Sequence, residues 1–220
     1  MFLAIVPAYN EEERIGAVVT DLRQVVDGVI VVDDGSEDGT AHAAKNAGAT
    51  VISHALNRGQ GASLETGQAY ARDLGADFVL HFDGDGQFDI RDIGPAHQAL
   101  LNAKADILFG SRFLDDRSRV PFLKRHILLP IARFIGKWYS GLPLRDAHNG
   151  FRLLNRRALE SVSLTHDRMA HASEIPALVR RHKLHYIEFP VRVVYREYGQ
   201  NFRGGLSILR DLFLGKFVSK

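Results

Sequence analysis

The chain has 220 residues, 45% of them hydrophobic, with no Cys, and its 28 Lys+Arg and 26 Asp+Glu leave a net charge of +2. That length suits one large α/β domain with a full core, and the ordinary apolar and charged fractions exclude a disordered chain. Without Cys there is no disulfide scaffold, no thiolate zinc site and no cysteine nucleophile.

Residues 2–6 read as a buried strand closed by Pro7, followed by a helix over 11–26. A second buried strand at 28–32 (GVIVV) ends in Asp33-Asp34-Gly35-Ser36, and Thr40 is positioned to cap a short helix to 47. A third strand spans 50–53, a helix 59–74, a fourth strand 77–82, a helix 89–103 and a fifth strand 106–110. Short apolar runs separated by helices of this length predict parallel strands covered on both faces, with ligands at their carboxyl ends. Beyond Ser111 the rhythm changes. A strand is expected at 151–154, a helix at 172–181, extended segments at 184–189 and 191–195 broken by Pro190, and an amphipathic helix at 204–218. No linker or repeat divides the chain, so one domain over 1–220 is expected.

The unusual residues cluster at the predicted strand ends. Asp83 and Asp85, in Phe82-Asp83-Gly84-Asp85-Gly86-Gln87, place two carboxylates two residues apart just past a buried strand. Hard cations such as Mg²⁺ and Mn²⁺ take oxygen ligands, and glycines let a phosphate approach the backbone. The same letters also spell a turn, since Asp-Gly pairs are common there. Asp33 and Asp34 at the mouth of a second buried strand suit a ribose or base, although both also suit turn formation. Asp38 and Thr40 read as a helix cap, and Glu12 and Glu13 as favourable charges at a helix start. Asn57-Arg58-Gly59-Gln60-Gly61 is a glycine loop opening a helix, without the Lys-Ser/Thr of a P-loop.

Charge divides the chain in two. Residues 1–110 carry 7 Lys+Arg against 17 Asp+Glu, whereas 111–220 carry 21 against 9. An acidic half suits a cation, and a basic half suits phosphate or an anionic membrane surface; two solvated faces fit the same counts.

In order and spacing, VPAYNEE, VVDDGSEDGT, NRGQGASLETG and DGDGQ resemble the family 2 glycosyltransferases. The resemblance is greatest to their dolichyl-phosphate mannosyltransferase and bacterial polyprenyl-phosphate sugar transferase branch, over about residues 2–113 and more loosely 145–203. It implies a GT-A fold, a UDP- or GDP-linked sugar donor, Mg²⁺ or Mn²⁺, and inversion at the anomeric carbon. Residues 1–113 would then serve the nucleotide sugar and metal, and 114–220 the acceptor and the membrane surface. Pro7, Ala8, Tyr9, Glu11, Asp34, Gly61 and Gly84 would line the donor pocket. Asp83 and Asp85 match the D-x-D element, with Asp85 the first choice for direct metal ligand and Gln87 a helper. Arg112 matches the basic residue after the fifth strand and would meet the acceptor phosphate, joined by Lys124 or Arg125. Asp146, in Asp146-Ala147-His148-Asn149-Gly150-Phe151-Arg152, resembles the D-x-x-x-G-F element near the acceptor; pairing with Arg145 or Arg152 is the structural alternative. Glu174 either reaches the site or caps a helix. Arg196 and Arg203 match a stretch that closes over the diphosphate, but Phe202 stands where the mannosyltransferase branch has Lys, so mannose and guanosine specificity do not carry over.

No stretch free of charged residues and His exceeds residues 1–10, far short of the roughly 20 residues of a spanning helix. Residues 1–10 lack the basic start of a signal peptide, so a cytoplasmic protein is expected. If the acceptor is a polyprenyl phosphate, the enzyme works peripherally on the inner face of the cytoplasmic membrane. The mixed basic and apolar residues 117–139 suit an interfacial helix, and 204–218 a second surface or a dock for a separate membrane-anchoring subunit. Within the family the alternative is a sugar hydroxyl acceptor, in polysaccharide or lipopolysaccharide synthesis, which needs a carboxylate base with Asp146 or Glu174 the candidates. Two rival readings from other classes remain. One is a haloacid-dehalogenase-like phosphatase, whose D-x-D-G normally opens the domain rather than following four strands. The other is a non-catalytic nucleotide-sugar binder. Nucleic acid is not an expected partner, because the basic half has no recognisable reading motif.

Overall fold

A computed structural model describes residues 1–115, 142–165 and 171–193. The central strands form where the sequence is continuously apolar: β1 (Phe2–Ala8), β2 (Gly28–Asp33), β4 (Phe78–His81) and β5 (Ile107–Ser111) are buried along most or all of their length. β3 (Thr50–Ser53) and β7 (Tyr186–Pro190) close the two edges and are only partly buried or exposed. Between them run α1 (Glu12–Leu22), α2 (Thr40–Asn46), α3 (Gln60–Asp73) and α4 (Ile93–Ala103), so the helices predicted in this half are all present. The helix expected over 89–103 opens instead with a 3₁₀ turn, Ile90–Asp92, whose N-cap Asp89 accepts a hydrogen bond from the Arg91 N–H at 3.1 Å. Thr40 is the first residue of α2 rather than its cap; its hydroxyl accepts the Glu11 N–H at 2.8 Å and ties β1's exit to α2.

The sheet runs β3-β2-β1-β4-β6-β5-β7. All pairs are parallel except those of β6 (Arg152–Asn155), which lies antiparallel between β4 and β5. The α/β class is as expected, but this inserted strand makes the sheet mixed. β6 leads into α5 (Arg156–Ser161), a short helix absent from the sequence expectations and capped by Asn155, whose Oδ1 accepts the Ala158 N–H at 2.9 Å. α6 (His171–Arg181) precedes β7, whose last residue, Pro190, lies opposite Ser111. An edge strand tolerates that proline because one of its sides needs no ladder donor.

Two apolar layers cover the sheet. One holds Ile15, Val18, Val19 and Leu22 of α1 with Ile93, Ala96 and Leu100 of α4. The other holds Leu64 and Ala71 of α3, Ala158 and Leu159 of α5, and Ile175 and Val179 of α6. Gly67 lets α3 sit directly on β1, since a side chain there would overlap Ile5. Strand order reverses around β1 and β4, and a crevice opens at the carboxyl ends of such neighbours. The exits of β1, β2 and β4 therefore bring Pro7–Tyr9, Asp33–Asp34 and Asp83–Asp85 to one edge of the sheet. No helix among the described residues is long and apolar enough to cross a membrane. Lys124, Arg125, Arg196, Arg203 and the expected helices at 117–139 and 204–218 lie outside the described residues.

Candidate active site

The exits of β1 and β2 are laced together. The Asn10 N–H donates to Ser36 Oγ at 2.9 Å, and the Glu37 N–H donates to Asn10 Oδ1 at 3.0 Å. Asp33 is buried and accepts the Ser36 N–H at 3.2 Å, the turn role foreseen for it. Asp34 is also buried, and its carboxylate accepts main-chain N–H groups of Arg58 at 3.0 Å and Gly59 at 2.6 Å. The His54 ring stands 2.7 Å from the same carboxylate, and its other nitrogen lies 2.9 Å from Thr66 Oγ1. Asp34 thus shapes the 54–59 loop that leads to Gly61 in the first turn of α3. Pro7 and Ala8 form the last residues of β1, while Tyr9 is 46% exposed just beyond them. Glu11 pairs with Arg14 at 3.0 Å. Gly84 passes close over Pro7: a side chain there would lie 3.2 Å from the Pro7 carbonyl oxygen.

Asp83 is held from two directions. Gln60 Nε2 donates to its Oδ1 at 2.8 Å, and its carboxylate rests on Gly150, where any side chain would overlap both oxygens. Burial and the like charge of Asp85 push its pKa up to about 6, against the pull of Arg152, Gln60 and Arg112. Asp85 accepts the Gln87 N–H at 3.0 Å, and burial raises its pKa as well. Two neighbouring carboxylates that both resist ionisation are a fit for a divalent cation, which would relieve desolvation and repulsion together. No third His, Asp or Glu joins them in a cluster among the described residues. That composition matches Mg²⁺ chemistry, in which one or two carboxylates act with substrate phosphates.

Facing this loop is an ion pair. Arg112, just past β5, donates from Nε to Asp146 Oδ2 and from Nη2 to Oδ1, both at 2.7 Å, and its main-chain N–H reaches Oδ2 at 3.1 Å. Asn149 Nδ2 also donates to Asp146 at 3.2 Å, and Asn149 Oδ1 accepts the Phe151 N–H at 2.9 Å. Asp146 therefore pairs with Arg112 rather than with Arg145. His148 faces solvent at this rim, and local desolvation followed by the Arg152 charge holds its pKa below the usual histidine value. Glu174 Oε1 accepts from the Thr165 N–H at 2.9 Å and hydroxyl at 2.7 Å, which gives it the local role weighed in the sequence.

The profile of "Glycosyl transferase family 2" matches residues 3–163. The chain belongs to that family. It is 33% identical to "Uncharacterized protein MJ1222" of Methanocaldococcus jannaschii, over 96% of this chain and 90% of that protein. It is 32% identical to the UDP-N-acetylglucosamine–dolichyl-phosphate N-acetylglucosaminyltransferase of Methanococcus voltae, over 96% and 94%. Polyprenol monophosphomannose synthase of Mycolicibacterium smegmatis is 26% identical, over 96% and 84%. Among solved structures, glucosyl-3-phosphoglycerate synthase from Mycobacterium tuberculosis with Mn²⁺ and UDP-glucose superposes with a TM-score of 0.69 at 19% identity, over 94% of this chain and 75% of that one. That likeness concerns the fold, which is GT-A. The family 2 protein is a glycosyltransferase, and both rival readings drop away.

Within this glycosyltransferase, the structure brings Asp83, Asp85, Gln87, Arg112 and Asp146 to one edge, with Pro7, Ala8, Tyr9, Glu11, Asp34, Gly61 and Gly84 beside them. Sequence reasoning missed Gln60 and Gly150 as the residues that seat Asp83, and His54 as a partner of Asp34. Gln60 was visible between two glycines, but a single amide carries no signal without its distant partner.

Proposed function

We propose that this glycosyltransferase moves a sugar, with inversion, from a UDP- or GDP-linked donor to a polyprenyl phosphate at the membrane surface. The observation that carries the phosphate acceptor is the engagement of Asp146. A sugar hydroxyl must lose a proton as it attacks and needs a carboxylate base. Asp146 has both oxygens committed to Arg112 and Asn149, and Glu174 is held by Thr165. A lipid phosphate is already anionic and needs positioning only. Arg112 supplies the charge for that: Asp146 binds its Nε–Nη2 edge and so fixes the plane of the guanidinium beside the cation-binding loop. The names of the Methanococcus and Mycolicibacterium relatives, which specify dolichyl phosphate and polyprenol, support the same acceptor class.

On the donor side, Asp83 and Asp85 would hold the divalent cation, with Gln87 beside them. When bound, such a cation stabilises charge on the departing diphosphate by several kcal/mol. Gln60 and Gly150 keep Asp83 aimed, and Asp34 ties down the 54–59 loop. The inverting course follows from one displacement, with acceptor and leaving group on opposite faces of the anomeric carbon. Peripheral action on the inner membrane face, directly through the basic and aromatic residues 117–139 or through a membrane-anchoring subunit, accounts for the basic second half.

The deciding experiment measures nucleoside diphosphate release from a panel of UDP- and GDP-sugars with Mn²⁺ or Mg²⁺, with and without polyprenyl phosphate in detergent. Release that requires one donor, the metal and the lipid is the expected result. Donor binding without lipid-stimulated release would overturn the phosphate acceptor, and no donor binding at all would overturn the whole reading.

A further inference from the structure

β6 carries a cation where its neighbours carry leucines. Arg152 is 1% exposed and stands in register opposite His81 of β4 and Phe109 of β5. Its Nη2 donates to the Ala147 carbonyl at 3.3 Å, while Nε and Nη1 have no hydrogen-bond partner among the described residues. An underpaired buried guanidinium costs several kcal/mol, and Leu153 and Leu154 show that the strand accepts apolar side chains. Packing alone therefore gives no reason for arginine here.

Opposite charge reaches it from two sides. Asp83 lies two residues beyond His81, and its carboxylate rests on Gly150, two residues before Arg152. Asp146 is bonded through Asn149 to the main chain of Phe151, the residue that precedes Arg152. Burial lowers the Arg152 pKa to about 10, and the fields of Asp83 and then Asp146 oppose that shift. The neighbouring strand and the 146–151 turn thus bring two carboxylates near one buried cation.

We propose that Arg152 is a positioning residue that holds the Asp83 carboxylate and the Asp146–Arg112 pair in fixed register, joining the cation-binding loop to the phosphate-binding arginine from beneath. The functional labels rest on the reading above, but the coupling does not need substrate. Arg152 keeps the two half-sites a set distance apart before donor and acceptor arrive.

Two measurements on protein without donor or acceptor test this. The first is a double-mutant cycle in thermal stability. Arg152→Met, which keeps volume and removes charge, is expected to lower the melting midpoint by about 10 °C, because the Asp83 and Asp146 carboxylates lose the buried opposite charge near them. Asp83→Asn in that background is expected to recover much of the loss, and Asp146→Asn less. Additive effects would overturn the proposal. The second uses Arg152→Lys, which keeps the charge and loses the fork, and serves also in the event that the Met variant fails to fold. Mn²⁺ binding, read from the electron paramagnetic resonance of free Mn²⁺, is expected to weaken about tenfold or more. An unchanged affinity would overturn the proposal. Wild-type protein that binds no Mn²⁺ would instead count against the metal reading, and the cycle would still decide the role of Arg152.

Discussion

The buried acids of the two halves are held by different means. Asp34 takes two main-chain N–H groups from a loop that immediately precedes α3, with the His54 ring beside them, whereas Asp146 takes the side-chain fork of Arg112 at the end of β5, joined by one main-chain N–H and the Asn149 amide. The main-chain donors of Arg58 and Gly59 tie Asp34 to the loop that it shapes. A side-chain ion pair can be shared with an incoming anion. On the function proposed above, the Asp34 side of the crevice is tied down largely by main-chain bonds, while the facing edge is set by an ion pair that an acceptor phosphate would join. Asp83 stands at the boundary, seated by Gln60 from the first half and by Gly150 from the second.

The sharpest way to break that comparison is Asp85→Ala. Loss of the carboxylate proposed as the direct ligand of the divalent cation is expected to lower sugar transfer about a thousandfold, measured as nucleoside diphosphate release, with the fold retained. Arg112→Ala is expected to lower kcat/KM for the lipid acceptor about a hundredfold while the donor KM moves less than about threefold. Equal losses on both sides would erase the distinction between the two edges. Gly150→Ala adds one methyl group against Asp83 and is expected to weaken Mn²⁺ binding about tenfold, read by titration without substrate. Normal affinity in that variant would show that Asp83 does not need its seat.

The smallest effect is a dependence of stability on pH. In the metal-free fold Asp83 takes up a proton near pH 6, whereas an unfolded aspartate does so near its usual value of about 3.9. Between these values the folded state holds more protons, so this group destabilises the fold at pH 7 and the penalty is relieved as pH falls through about 6. The melting midpoint of wild-type protein relative to Asp83→Asn is expected to rise by a few degrees from pH 7 to 5. A falling difference would contradict the crowding of Asp83 and Asp85.

Much of this architecture was legible in the sequence because it rests on local composition. Apolar runs such as FLAIV and GVIVV become central strands since only a fully covered strand can bury so many consecutive side chains. β6 could not be oriented that way, because RLLN is too short for its pattern to report direction. α5, at six residues, falls below the length at which helical periodicity registers. Asp83 and Asp85 stood out by spacing, whereas Arg152 looked like one of two possible partners for Asp146 until register placed it beside β4, the strand that leads to Asp83.

The sequence by itself determined which segments cross the core, that acids gather where those segments leave it, and that the chain resembles family 2 glycosyltransferases. Only the tertiary structure decided which acids are already committed. Asp34 meets Gly59 across 25 residues, Gln60 meets Asp83 across 23, and Asp146 meets Arg112 across 34. A carboxylate's role depends on the donors around it, and those donors arrive by strand order and loop closure rather than by neighbourhood along the chain.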